Sequence, residues 1–222
     1  MKTILIRVLL TFILFILPLA NIWAASIDLA VLKYGTVNWE LNVIKHHGLD
    51  QKHNIKLNIT YLTNKNASSI ALMSEDVDMI VTDWVWVSRQ REQGADFTLV
   101  PYSTAAGALM VPKNSQIKSL NDIKNHKIGI AGSSIDKSWI LMRAYSIKVL
   151  NYDIAKNVDA AYAAPPLINA MVTRNELDGA LNYWNYTARL KALGFKKIIS
   201  ISDILPHLGI GETLPLIGYV FS

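Results

Sequence analysis

The chain has 222 residues, no cysteine, and 22 Lys and Arg against 17 Asp and Glu, a formal net charge of +5. The lack of cysteine excludes a disulfide framework, a cysteine zinc site and a thiol nucleophile. No basic cluster carries interleaved aromatics, so the charge leaves no footprint for nucleic acid.

Residues 1–24 read as a secretory signal peptide, because Lys2 and Arg7 precede the apolar run 8–20 and small residues follow Pro18. Cleavage is expected after Ala24. A retained N-terminal anchor is the lesser reading, since a membrane span needs about 20 apolar residues. No cysteine follows the run to carry a lipid anchor. Removing Lys2 and Arg7 lowers the charge from +5 to +3, and the remainder suits one large or two small domains.

Strand and helix patterns then alternate, the signature of parallel sheets flanked by helices. The spacing predicts a strand at 27–34, a helix at 39–48, a strand at 56–62 and a short helix at 67–74. A strand at 77–82 and a helix at 85–93, ended by Gly94, come next. Strands follow at 97–102 and 106–111, the last closed by Pro112. The pattern restarts with a short helix at 119–124, a strand at 127–131 and a helix at 133–150. Ile135, Trp139, Met142 and Ile147 recur on one face of that helix. A strand near 157–161, a break at Pro165 and Pro166, a helix at 167–174 and a strand at 179–182 follow. A helix at 186–193 and strands at 197–200 and 214–222 complete the series.

The expected architecture is α/β, with lobe one at 25–111, lobe two at 112–216, and a return crossover toward lobe one beginning at 217–222. Ligands of such sheets sit outside the carboxyl ends of the strands, so two facing lobes make one cleft.

Candidate site residues fall at those strand ends. Trp39, opening a helix, either floors a pocket or packs its helix on the sheet. The run Asn64 to Ser69 offers Asn66, Ser68 and Ser69 as ligand contacts or as simple helix caps. Asn66-Ala67-Ser68 also matches a glycosylation sequon, a weak pattern without context. Asp83 either pairs with a cationic or amide group or caps the helix after it. Trp84 and Trp86 lie two apart, so only one of them can line a site.

Gly132, Ser133, Ser134 and Asp136 form the strongest single signal. Glycine permits close backbone approach, a helix N-terminus favours negative charge, and residues 133–136 read as a capping box. Tyr183, Trp184 and Tyr186 gather at the end of strand 179–182, dense for a structural turn and suited to an aromatic pocket. His46, His47 and His53 lack a carboxylate at ligand spacing and read as a solvated face. No metal or cofactor is expected, and the common catalytic motifs do not occur.

The segments VNWELNVIKHHGL at 37–49, TDWV at 82–85, IGIAG at 128–132, DKSW at 136–139, APPL at 164–167 and LNYW at 181–184 occur in order along the chain. Together they resemble the substrate-binding proteins of bacterial ABC importers in the nitrate, sulfonate, taurine and thiamine-pyrimidine-precursor group. The resemblance implies a periplasmic binding protein fold of type II, in which two lobes close on a small-molecule ligand and dock on a membrane permease. It implies a monomer with a pocket drawn from Trp39, Asn66 to Ser69, Asp83 and Trp84 on one lobe. Ser133, Ser134, Tyr183 and Trp184 would line the other.

In that family the chain returns after the second lobe to finish the first, so a chain stopping at Ser222 is expected to leave lobe one incomplete, with apolar surface uncovered. A rival reading is a thiamine-precursor biosynthetic enzyme on the same fold, which the absent cysteine and the signal sequence disfavour. A ligand-sensing module is the third, without a recognisable DNA-binding or signalling partner segment.

Overall fold

The structure is a computed structural model that describes residues 25–211 and 214–222. The expected signal peptide at 1–24 lies outside the described residues.

The first lobe opens with β1 (Ala25–Leu32), helix α1 (Val37–His46), the single turn α2 (Leu49–Lys52) and β2 (Ile55–Leu62). It continues through α3 (Lys65–Met73), β3 (Met79–Asp83), α4 (Trp84–Glu92) and β4 (Thr98–Ser103). The second lobe holds β5 (Ala108–Val111), β6 (Lys127–Ala131), α5 (Lys137–Leu150), β7 (Asp159–Ala163) and α6 (Pro165–Thr173). β8 (Gly179–Asn182), α7 (Trp184–Ala192), β9 (Lys196–Ser200) and the turn α8 (Ile201–Ile204) follow, before β10 (Ile217–Phe221) returns to the first lobe.

Each lobe is built on a five-stranded sheet, in the orders β2-β1-β3-β10-β4 and β7-β6-β8-β5-β9. The plans match. Three parallel strands lie on one side, then one strand antiparallel to both of its neighbours, then an edge strand.

The strand expected at 106–111 in lobe one belongs instead to the second sheet, where Ala108 stands opposite both Asn182 and Ser200. All four of its residues are buried, as a strand covered on both faces must be. Gly107 leads into it. A Cβ there would lie 2.0 Å from the Asn182 carbonyl oxygen, so only glycine lets the crossing chain pass. The return strand β10 pairs with β3 and β4, so residues 217–221 already form part of the first sheet.

Most helix starts shift by a residue or two, and two of the differences have a readable cause. Helix α5 begins at Lys137 rather than at 133, because Asp136 takes the N-cap and the serines before it form a separate turn. Pro165 and Pro166 do not break the chain but open α6, where the absent N–H of proline is no loss.

Trp139 of α5 is buried to 1% exposure with Leu109, Ile128, Ile130 and Met142 in the second-lobe core. In the first lobe Trp86 stacks on Phe97 at 5.3 Å under one face of the sheet, and Val37 and Leu41 of α1 cover the other. Val37 and Leu41 are four apart and so share one helix face.

Candidate functional site

The parallel strands of the two sheets end toward each other, and the side chains at those ends make the walls of a cleft. On the first wall β3 stops at Asp83, whose Oδ1 accepts the Trp86 N–H at 3.0 Å and caps α4. Its Oδ2 accepts a hydrogen bond from the Lys65 ammonium. Lys65 sits at the first position of α3, after the N-cap Asn64, whose Oδ1 accepts the Ala67 N–H at 2.9 Å. The cation that sequence reasoning left for a ligand of Asp83 is thus supplied by the protein.

On the second wall β6 stops at Ala131 and Gly132 turns the chain with φ +95°, which a side chain resists. The Ser133 hydroxyl accepts the Ile135 N–H at 3.4 Å, within the turn. Asp136 follows, with Oδ1 accepting the Ser138 N–H at 2.9 Å and Oδ2 accepting the Tyr183 hydroxyl at 3.3 Å. Burial, reinforced by the Asp136 charge, holds the Tyr183 phenol well above its ordinary pKa. It therefore stays protonated and donates. The Lys137 ammonium lies 5.4 Å from the centre of the same ring, a cation–π distance.

Asn182 fixes Tyr183 from behind the site. Its amide donates to the Pro165 carbonyl at 2.9 Å and to Asn169 Oδ1 at 2.8 Å, and its Oδ1 accepts the Tyr183 N–H at 2.8 Å. Beyond Tyr183, the Trp184 ring meets Trp39 of the opposite lobe edge to face at 5.7 Å. That geometry is the preferred one for an aromatic pair.

Three adjoining hollows lie between these walls. The first, about 90 Å³, is mostly apolar, with Thr82, Asp83, Tyr102 and Trp184 in its lining. The second and roomiest, about 490 Å³, is bordered by Asn64, Asn66, Gly132, Ser133 and Asp136. The third, about 60 Å³, reaches Tyr34 and Pro165. All three share Lys65 and Tyr183, so they form one continuous cleft. The Thr82 hydroxyl, on a residue of the first hollow's lining, is buried without a hydrogen-bond partner.

The expected site residues divide into two groups. Asn66, Asp83, Ser133, Asp136, Tyr183 and Trp184 border the cleft, and Trp39, 55% exposed, reaches it through Trp184. Ser68 and Ser69 are buried on the face of α3 that rests on the sheet, with Leu72 one turn on from Ser68, and they border none of the hollows. Ser134 points to solvent from the turn. Trp84 packs against the second-lobe core and Trp86 lies in the first, so neither borders the hollows. Sequence reasoning missed Lys65, Thr82 and Asn182. Lys65 had a readable signal in being a lysine at a helix start beside the candidate asparagines.

Among the described residues no group of three or more His, Cys, Asp and Glu is placed to hold a metal ion, and no helix is long and apolar enough to cross a membrane. The model of the family described as "NMT1/THI5 like" matches residues 32–192. No curated protein matches the sequence. Among solved structures, the periplasmic aliphatic sulphonate binding protein SsuA from Escherichia coli is similar, with 17% identity and a TM-score of 0.66. That match covers 88% of this chain and 61% of the other. The alkanesulfonate-binding protein SsuA from Xanthomonas axonopodis pv. citri, bound to MOPS, matches with 18% identity and a TM-score of 0.66 over 89% of this chain and 65% of its own. A binding protein component of an ABC phosphonate transporter from Pseudomonas aeruginosa matches with 15% identity and a TM-score of 0.66, over 89% and 68%. The chain therefore spans less than two thirds of the length of the first two. At these identities the likeness is one of fold, the two-lobed α/β arrangement of periplasmic binding proteins.

Proposed function

The chain belongs to the NMT1/THI5-like family, and we propose that it is the periplasmic solute-binding component of an ABC importer. In this reading it captures a small organic molecule of sulfonate, taurine-like or pyrimidine-like type between its lobes and delivers it to membrane permease subunits. It works as a monomer, is exported by its first 24 residues, and carries out no chemistry on its ligand. The observation that supports this best is the single cleft at the facing strand ends, crossed by the Trp39 and Trp184 contact. A cleft spanned by two separately folded sheets is built to close on a solute and reopen. The charged groups on its walls, Lys65, Asp83 and Asp136, and the Tyr183 phenol are held in hydrogen bonds, which suits holding a ligand.

Thermal-shift screening of the purified protein against sulfonates, taurine, phosphonates, pyrimidines and small aromatic acids tests the reading. A ligand at about 100 times its Kd stabilises the folded state by about 2.7 kcal/mol, worth roughly 5–10 °C for a chain of this size. A screen in which no compound moves the midpoint, or in which a hit is turned over chemically, defeats it.

A further inference from the structure

We propose that the ligand carries an amino or amidine N–H donor, and that Asp136 Oδ2 is the acceptor that selects it. This rests on the solute-binding reading and narrows it to a class of solute. The charged residues bordering the three hollows are one cation, Lys65, and two carboxylates, Asp83 and Asp136. Lys65 is already spent on Asp83, with both side chains largely buried. Among the described residues, Asp136 is therefore the charged group bordering the hollows that has no ion-pair partner, the nearby buried Lys137 lying outside ion-pair distance.

Asp136 is 5% exposed, and among the described residues no Lys, Arg or His nitrogen comes within ion-pair distance of it. Lys137 follows it in sequence, but its ammonium faces the Tyr183 ring. A carboxylate offers about four acceptor positions, and this one receives two bonds, from the Ser138 N–H at 2.9 Å and the Tyr183 hydroxyl at a long 3.3 Å. Oδ2 keeps acceptor capacity where the second hollow lies.

The approach to that oxygen is kept open by the backbone. A Cβ on Gly132 would lie 3.5 Å from Asp136 Oδ2 and 3.2 Å from the Tyr183 hydroxyl, occupying the space beside both. A purely anionic solute entering here meets an unpaired carboxylate across a poorly screening wall, which opposes it. An amino-bearing solute meets a charge-assisted acceptor. A zwitterion satisfies both walls, with its ammonium on Asp136 and its anionic end toward the backbone N–H groups at the start of α3.

Matched pairs read this directly. Taurine and ethanesulfonate differ by one ammonium, and 4-aminopyrimidine and pyrimidine by one amino group. Isothermal titration of all four into wild-type protein is expected to show, in at least one pair, the amino member binding at least about tenfold tighter. Asp136→Asn keeps a good N-cap and is expected to fold, with its thermal melt as the check, and to abolish that preference. Asp136→Ser, a second cap-competent variant, is expected to do the same. If the amine-free member binds as tightly as its partner, or the preference survives in both variants, the inference fails while solute binding stands. If none of the four binds, the inference falls, and the broader thermal-shift screen alone decides the binding reading.

Discussion

The Lys65 and Asp83 pair carries a stability consequence that can be isolated. With side-chain exposures of 15% and 5%, the pair is screened little by water, and removing one partner leaves a charge stranded. Such losses run to about 3–5 kcal/mol, whereas removing both charges is far milder. Lys65→Met is therefore expected to lower the urea-derived stability by about 3 kcal/mol. Adding Asp83→Asn should recover much of that, because asparagine still caps α4. A Lys65→Met protein within about 0.5 kcal/mol of wild type would contradict the assignment, since only an unimportant surface pair costs so little. A second pair contributes to acid behaviour. The Arg143 guanidinium donates to Asp153 at 3.0 and 2.7 Å and holds its carboxyl below the ordinary value. Stability from this group is fully present above about pH 4, the unfolded carboxylate value, and is lost as pH falls through the lower folded value. Arg143→Gln should lower the urea midpoint at pH 7 and flatten its fall on acidification. At this scale the sequence reveals half of each arrangement. Asp83 was legible because it ends an apolar strand, and Asp136 because it falls in a capping pattern after one, but Lys65 lies 18 residues from Asp83 and Tyr183 lies 47 from Asp136. No local pattern joins residues so far apart.

Elements whose limits are set by their own residues were read closely. β6 and β8 fall where expected at 127–131 and 179–182, as short buried runs bounded by turns. The start of α5 was misplaced by four residues because two serines and an aspartate compete for the same cap, and the carboxylate prevails at Asp136. This displaces Ser133 and Ser134 from the helix terminus into a turn whose geometry depends on Gly132. The consequence is measurable against a control in the same molecule. Gly132 and Gly94 have similar φ values, +95° and +91°, but a Cβ on Gly94 meets nothing within 4 Å, while on Gly132 it crowds Tyr183 and Asp136. Gly94→Ala is expected to cost only the backbone strain, roughly 1 kcal/mol. Gly132→Ala should cost more and also weaken ligand binding in titration. Equal losses of stability with unchanged affinity would show that the turn does not shape the cleft.

At the scale of the whole molecule, hydrophobic periodicity identifies a strand but not the sheet that receives it, which is why β5 was expected in the first lobe. Its full burial and the glycine before it decide the matter in three dimensions. Once β5 crosses to the second sheet and β10 returns to the first, the lobes are tied by two connections, one between β4 and β5 and one entering β10. Two links of this kind permit relative rotation of lobes while each sheet stays intact. The Trp39 and Trp184 contact then joins surfaces that must part for a solute to enter or leave. An edge-to-face pair is worth about 0.5–1.5 kcal/mol beyond its buried area, a factor of roughly 2–12 in an equilibrium. Both rings are partly exposed, at 55% and 38%, so truncating one leaves no cavity in either core. Trp39→Ala should therefore leave the melting temperature of the free protein nearly unchanged while speeding ligand release several-fold, as measured by stopped-flow displacement with the tightest compound of the screen. The association rate should hold or rise, because the open form becomes more populated. A slower release, or a large drop in the melting temperature of the free protein, would show that the pair is packing within the fold and not a latch across it.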